Sequence, residues 1–109
     1  MSAALSATDL DLSALILPDL LKHAEAIQAI RRDIHAHPEL CFEEVRTSDL
    51  VAKALQAWGI EVHRGLGKTG VVGIVQGRDG GACGRAVGLR ADMDALPMQE
   101  FNTFSHASR

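Results

Sequence analysis

Apolar positions recur at helical spacing from Leu20 through Ala24, Ile27, Ile30 or Arg31, and Ile34, while Arg31, Arg32 and Asp33 fall on the wetter side. That period predicts one helix with one buried face. Pro18 suits its first turn, and Pro38 ends it near His35 or Ala36, because the residue before a proline disfavours helical angles. A second helix is predicted where Leu50, Val51, Ala54, Leu55 and Trp58 form a continuous apolar stripe. Thr47 or Ser48 can cap its start, and Gly59 stands where a left-handed C-terminal residue is wanted. Beyond Gly59 the texture changes to short β-branched runs bounded by glycine: "IEVH", then "VVGIVQ", then "AVGLRA". Each predicts a strand, with "RGLGKTG" and "GRDGGACGR" as the connections. The second and third strands are close enough in sequence to pair as an antiparallel hairpin.

Two helices followed by three strands give an α/β arrangement. Three strands and two helices cover one sheet face and leave the other face and an edge bare, a poor arrangement for a soluble domain. The expectation is therefore the N-terminal part of a larger mixed-sheet catalytic domain, incomplete as it stands. Residues 1–17, small and polar with scattered Leu, are expected to form a flexible N-terminal arm, and residues 18–109 the domain portion.

Composition narrows the function classes. Eleven Lys+Arg against fourteen Asp+Glu give a formal net charge of -3, which offers no reason to expect nucleic acid or an anionic membrane as partner. One Trp, three Phe and no Tyr make a base-stacking platform a poor fit. No Lys or Arg precedes Lys22, so the start lacks the basic region of a secretory signal, and no apolar run approaches the roughly 20 residues of a membrane span. Cys41 and Cys83 are then expected to be reduced thiols and the chain cytoplasmic.

Three stretches invite a chemical reading. "HAHPELCFEE" holds His35, His37, Glu39, Cys41, Glu43 and Glu44 within ten residues. A His-x-His pair needs a strand to aim both rings to one side, and here a helix is ending, so capping and local hydrogen bonding are the default. "GLGKTG" looks like a phosphate loop, but the first glycine of that pattern would fall at position 62, which is Val62. The loop also leads into a strand, so it reads as a turn with glycine where positive φ is needed. "LRADMDALP" is the sharpest signal. On a strand Asp92 and Asp94 share a face, and two carboxylates that close repel unless a cation sits beside them. A divalent metal removes that cost and takes oxygen ligands; Arg90 is the alternative neutraliser. The competing reading is a solvated strand end with a turn-forming Asp ahead of Pro97.

Taken in order, "IRRDIHAHPELCFEEVRTSDLVAKAL", "TGVV" and "VGLRADMDALPMQE" resemble the opening of the metal-dependent amidohydrolases of the hippurate hydrolase type. That group includes the N-acyl-amino-acid and auxin-conjugate hydrolases and lies within the aminoacylase–carboxypeptidase metallopeptidases. The resemblance runs from about Ile30 to Arg109. It implies an α/β catalytic domain interrupted by a smaller dimerisation or lid domain. It also implies hydrolysis of an amide joining an acyl group to an amino acid, with two divalent ions (zinc, manganese, cobalt or nickel) and a Glu as general base. Matched position by position, Asp94 falls on the active-site Asp that supports the metal centre. Asp92 falls beside it, where distant relatives place a metal-binding His, so it is metal-proximal and not assigned as a ligand. Arg90, Ala95, Leu96 and Pro97 complete the match; His37-Pro38-Glu39 matches without an established role.

The principal ligands of that family, on an "H-x-C-G-H-D-x-H" pattern and further on, have no counterpart in these 109 residues. The expectation is that the remainder of the catalytic domain is missing and that this chain alone does not catalyse. Its partners would then be a small-molecule N-acyl amino acid and the missing C-terminal part, with homo-oligomers only for the full-length enzyme. Two other readings stay open: a non-catalytic binding module built on the same partial fold, and a mononuclear metal binder using His35, His37 and Asp94.

Overall fold

A computed structural model describes residues 15–109. Most of the arm expected over residues 1–17 lies outside the described residues; Leu15, Ile16 and Leu17 are exposed. Contacts divide the chain into one unit ending at Arg32 and a second running from Asp33 to Arg109.

The first predicted helix is two. Pro18 opens α1, Pro18–Leu21, and a turn at Lys22 and His23 separates it from α2, Ala24–Ala36. No residue of α1 is buried. A single helical turn held only by local hydrogen bonds, with no packed face, has nothing to keep it in register with the next helix. The α2 helix ends at Ala36, two residues before Pro38, as the proline rule requires.

In the second unit, helix α3 spans Val45–Ala57. Its C-terminus closes as the sequence predicts. Gly59 has φ 74, its N–H donates to the Gln56 carbonyl at 2.9 Å, and the Ile60 N–H donates to Leu55 at 3.0 Å. These are the paired bonds of a Schellman ending, possible because glycine accepts the left-handed backbone without cost. Its start differs from the prediction. Thr47 and Ser48 are not caps but buried residues inside the first turn, and the capping position is Glu44, whose side chain makes no capping bond.

Strands β1, Glu61–Leu66, and β2, Gly70–Ile74, form an antiparallel pair. Only Gly67, Lys68 and Thr69 join them, with φ 57 at Gly67 and 73 at Lys68. The ladder shifts between Arg64 and Leu66, and Gly65, at φ 85, is the extra residue of a bulge. Helix α3 packs against both strands. Arg64 ties β1 to it through Asp49 Oδ1 at 2.6 Å.

The hairpin therefore joins the first and second predicted strands, not the second and third. The third strand is absent: from Arg85 to Thr103 the chain has no regular structure. Asp79 folds the glycine-rich connection on itself, accepting hydrogen bonds from the N–H groups of Gly81 and Cys83. Val87 and Leu89 beyond it are 89% and 95% exposed. A β-branched run forms a strand only where a neighbour completes its ladder and covers its face, and 86–91 has neither among the described residues. The mixed α/β character holds with three helices and two strands. Its packed centre is slight: Ala52 is the one buried apolar residue among those described.

Candidate active site

The turn between Pro38 and α3 organises the site. Phe42 takes φ 65, unusual for a residue with a side chain, and the turn closes through Glu43 N–H to the Leu40 carbonyl at 2.9 Å and Val45 N–H to Glu43 at 2.8 Å. Glu39 enters this turn with its carboxylate on the exposed first N–H groups of α3. It accepts from the Arg46 N–H at 2.9 Å and from both the N–H and hydroxyl of Thr47 at 2.7 Å. Burial pushes the Glu39 carboxyl up, but the Thr47 hydroxyl, the two backbone donors and the Arg46 charge together outweigh it and hold the group below its ordinary value. This carboxylate is the cap that Thr47 or Ser48 was expected to supply.

Glu44 leaves the same turn. It is 6% exposed and accepts a hydrogen bond from the Thr69 hydroxyl at 2.6 Å. That bond is the main cause of its lowered pKa, with backbone donors adding to it. Thr69 stands at the end of the hairpin turn, so Glu44 joins the turn ahead of α3 to the start of β2.

Between these parts lies an open recess of about 340 Å³, lined among others by Cys41, Glu44, Thr69, Gly70, Asp92 and Asp94. Asp92 and Asp94 reach the same recess although no strand carries them. Asp92 lies 3.3 Å from the guanidinium of Arg90. Both side chains are exposed, so this pair adds little stability. Asp94 is exposed, and among the described residues no hydrogen bond or ion pair engages its carboxylate. The backbone beside it is held: the Ala95 N–H donates to the Glu39 carbonyl at 3.1 Å.

The two histidines do not join this recess. His35 Nε2 pairs with Glu100 Oε1 at 2.7 Å, and His37 Nδ1 lies 2.8 Å from the Asp33 carbonyl oxygen. His35 lowers the Glu100 pKa more than any other neighbour does. The arrangement of His35, His37 and Asp94 around one ion is therefore not formed. Among the described residues no three His, Cys, Asp or Glu side chains stand together to hold a metal ion.

Sequence reasoning singled out Asp92 and Asp94, which line the recess, and named Glu39 and Glu44 with capping or local hydrogen bonding as their default; it gave no part to Thr69, which with Glu44 lines the recess. For Thr69 the signal was present: it lies in a stretch that carried the family resemblance without a role attached to it.

Comparison with known proteins agrees with that resemblance. The chain is 43% identical over 94 residues to a hippurate hydrolase of Campylobacter jejuni, covering 86% of this chain and 24% of the relative. It is 49% identical over 82 residues to an N-acyl-L-amino acid amidohydrolase of Geobacillus stearothermophilus, covering 74% and 21%. It is 41% identical over 81 residues to an N-acetylcysteine deacetylase of Bacillus subtilis, covering 73% and 20%. The chain thus spans about a quarter or less of the length of these relatives. No family model matches it, and no solved structure gives a significant match. No helix among the described residues is long and apolar enough to cross a membrane.

Proposed function

Because the chain belongs to the amidohydrolase family of hippurate hydrolase and the N-acyl-amino-acid hydrolases, we propose that it forms one wall of an active site that hydrolyses the amide bond of N-acyl amino acids. In this reading Asp94 is the active-site carboxylate that supports a divalent metal pair, and Asp92 lies next to that centre. Such a pair, of zinc, manganese, cobalt or nickel, would supply polarisation of the amide carbonyl and activation of water at neutral pH. The acids present here can serve only one side of it, and the other donors come from the rest of the enzyme. The chain's own residues orient and shield. Glu39 holds the backbone at Ala95, Arg90 offsets the charge of Asp92, and Glu44 with Thr69 closes the floor of the recess. The unpaired thiols of Cys41 and Cys83 suit a reducing cytoplasm.

One observation carries this reading. Three stretches far apart in sequence, around Cys41–Glu44, Thr69–Gly70 and Arg90–Asp94, meet at a single recess, and all three lie within the segments similar to amidohydrolases. The test is hydrolysis of N-benzoylglycine, with Mn²⁺ or Zn²⁺ added, by a full-length protein carrying this segment. Asp94→Asn is expected to lower kcat/KM by about 10–100-fold, the usual cost of removing a group that orients a metal centre. The isolated 109-residue chain is expected to show no turnover. Unchanged kcat/KM in Asp94→Asn removes Asp94 from the mechanism, and turnover by the isolated chain removes the need for outside donors.

A further inference from the structure

We propose that Glu39 is the positioning residue for Asp94, coupling the start of α3 to the loop that carries the acid. The importance of that coupling rests on the reading of Asp94 as the active-site carboxylate. Glu39 acts through two ends. Its side chain accepts three hydrogen bonds from Arg46 and Thr47 at the first turn of α3. Its main-chain carbonyl accepts one from Ala95, the residue after Asp94.

Among the described residues no other group does either job. The N-cap position of α3 is Glu44, whose carboxylate is turned away to Thr69 and leaves the orphan N–H groups of the helix to Glu39. From Arg85 to Thr103 no helix or strand fixes the backbone. Within that stretch the Ala95 bond is the one backbone hydrogen bond to a distant part of the chain among the described residues. Its neighbours, Met98 to Leu96 and Glu100 to Ser108, are local. The side-chain pair of Glu100 with His35 is a second tie, but it lies six residues beyond Asp94. The acid's place is therefore set by where the Glu39 carbonyl points, and that direction is set by the grip of the Glu39 carboxylate on α3.

The experiment is amide hydrogen exchange on the 109-residue chain, read by NMR, for the native protein, Glu39→Ala and Glu39→Gln. The Ile60 amide, bonded to Leu55 at the far end of α3, is the internal reference. The carboxyl ¹³C resonance of Asp94 is followed in the same samples. In Glu39→Ala, exchange at Ala95 is expected to rise about tenfold relative to Ile60, the fold-change that a typical lost helix cap produces, and the Asp94 resonance to move. Glu39→Gln keeps one acceptor oxygen for Thr47 and is expected to fall between. Ala95 exchange unchanged relative to Ile60, whether both stay slow or both accelerate together, overturns the proposal. So does an unmoved Asp94 resonance. Neither result touches the role of Asp94, which the hydrolysis assay tests separately.

Discussion

Gly70 stands between Thr69, which bonds Glu44, and the first valine of β2, and it lines the recess itself. A Cβ built on it would fall deep inside contact distance of the Leu66 carbonyl oxygen, which is backbone and cannot swing aside. Gly73, three residues on, has a milder constraint: a Cβ there would lie 3.2 Å from side-chain carbons of both Leu55 and Ile60. Those two are the residues joined by the Schellman bond, so β2 meets α3 at its capped end. Gly70→Ala is expected to destabilise the chain by about 1–3 kcal/mol, the usual cost of forcing an extra carbon into a filled space. A urea unfolding midpoint equal to that of the native protein would show that the Leu66 carbonyl gives way. The need for glycine in "TGVV" is steric here and does not depend on any ligand.

At the scale of elements, α3 is fixed by different devices at its two ends, and they were not equally visible beforehand. The C-terminal ending was legible because it is local: a glycine directly follows an apolar stripe, and only glycine takes φ 74 without strain. The N-terminal cap was not legible, because its acceptor sits at Glu39, five residues outside the capping position, and reaches the helix only once the intervening turn has formed. The same distinction explains the strands. The β1–β2 pair follows from a three-residue connection, whereas a third strand depends on neighbours that the 86–91 segment does not name. At the site, the spacing and the resemblance singled out Asp92 and Asp94, and both line the recess, but the Glu44–Thr69 bond spans 25 positions and leaves no local trace. The cap also carries a pH signature. A carboxyl whose pKa is lower folded than unfolded stabilises the fold above its unfolded value, about 4.3 for Glu, and that contribution is lost as pH falls through the lower folded value. Glu39, Glu44 and Glu100 all shift in this direction. Acidification from pH 6 to below about 4 is therefore expected to loosen the start of α3, seen as loss of helical circular dichroism and movement of the Arg46 and Thr47 amide resonances. The Ile60 amide should respond later. Simultaneous loss at both ends would assign the acid transition to something other than the cap.

At the scale of the molecule, the apolar surface outweighs the packed interior. Val87, Leu89 and Phe101 are 89%, 95% and 96% exposed, while burial of apolar side chains among the described residues is confined to Ala52. Exposed apolar segments with unpaired backbone invite association with further chains. The isolated chain is expected to show a mass that rises with concentration in light scattering, and Val87→Lys with Leu89→Lys is expected to reduce that rise. A constant monomer mass for the native chain would mean that this segment finds cover within it.

The three-residue hairpin connection also has a bearing on time. Loop closure costs least over short separations, and the contacts joining α3, β1 and β2 all fall between Val45 and Ile74. This part can assemble without waiting for anything after it, and chains rich in such neighbourly contacts gather quickly. The acid-bearing segment lies outside that stretch, and its docking is expected to follow the framework's assembly as a separate, slower step.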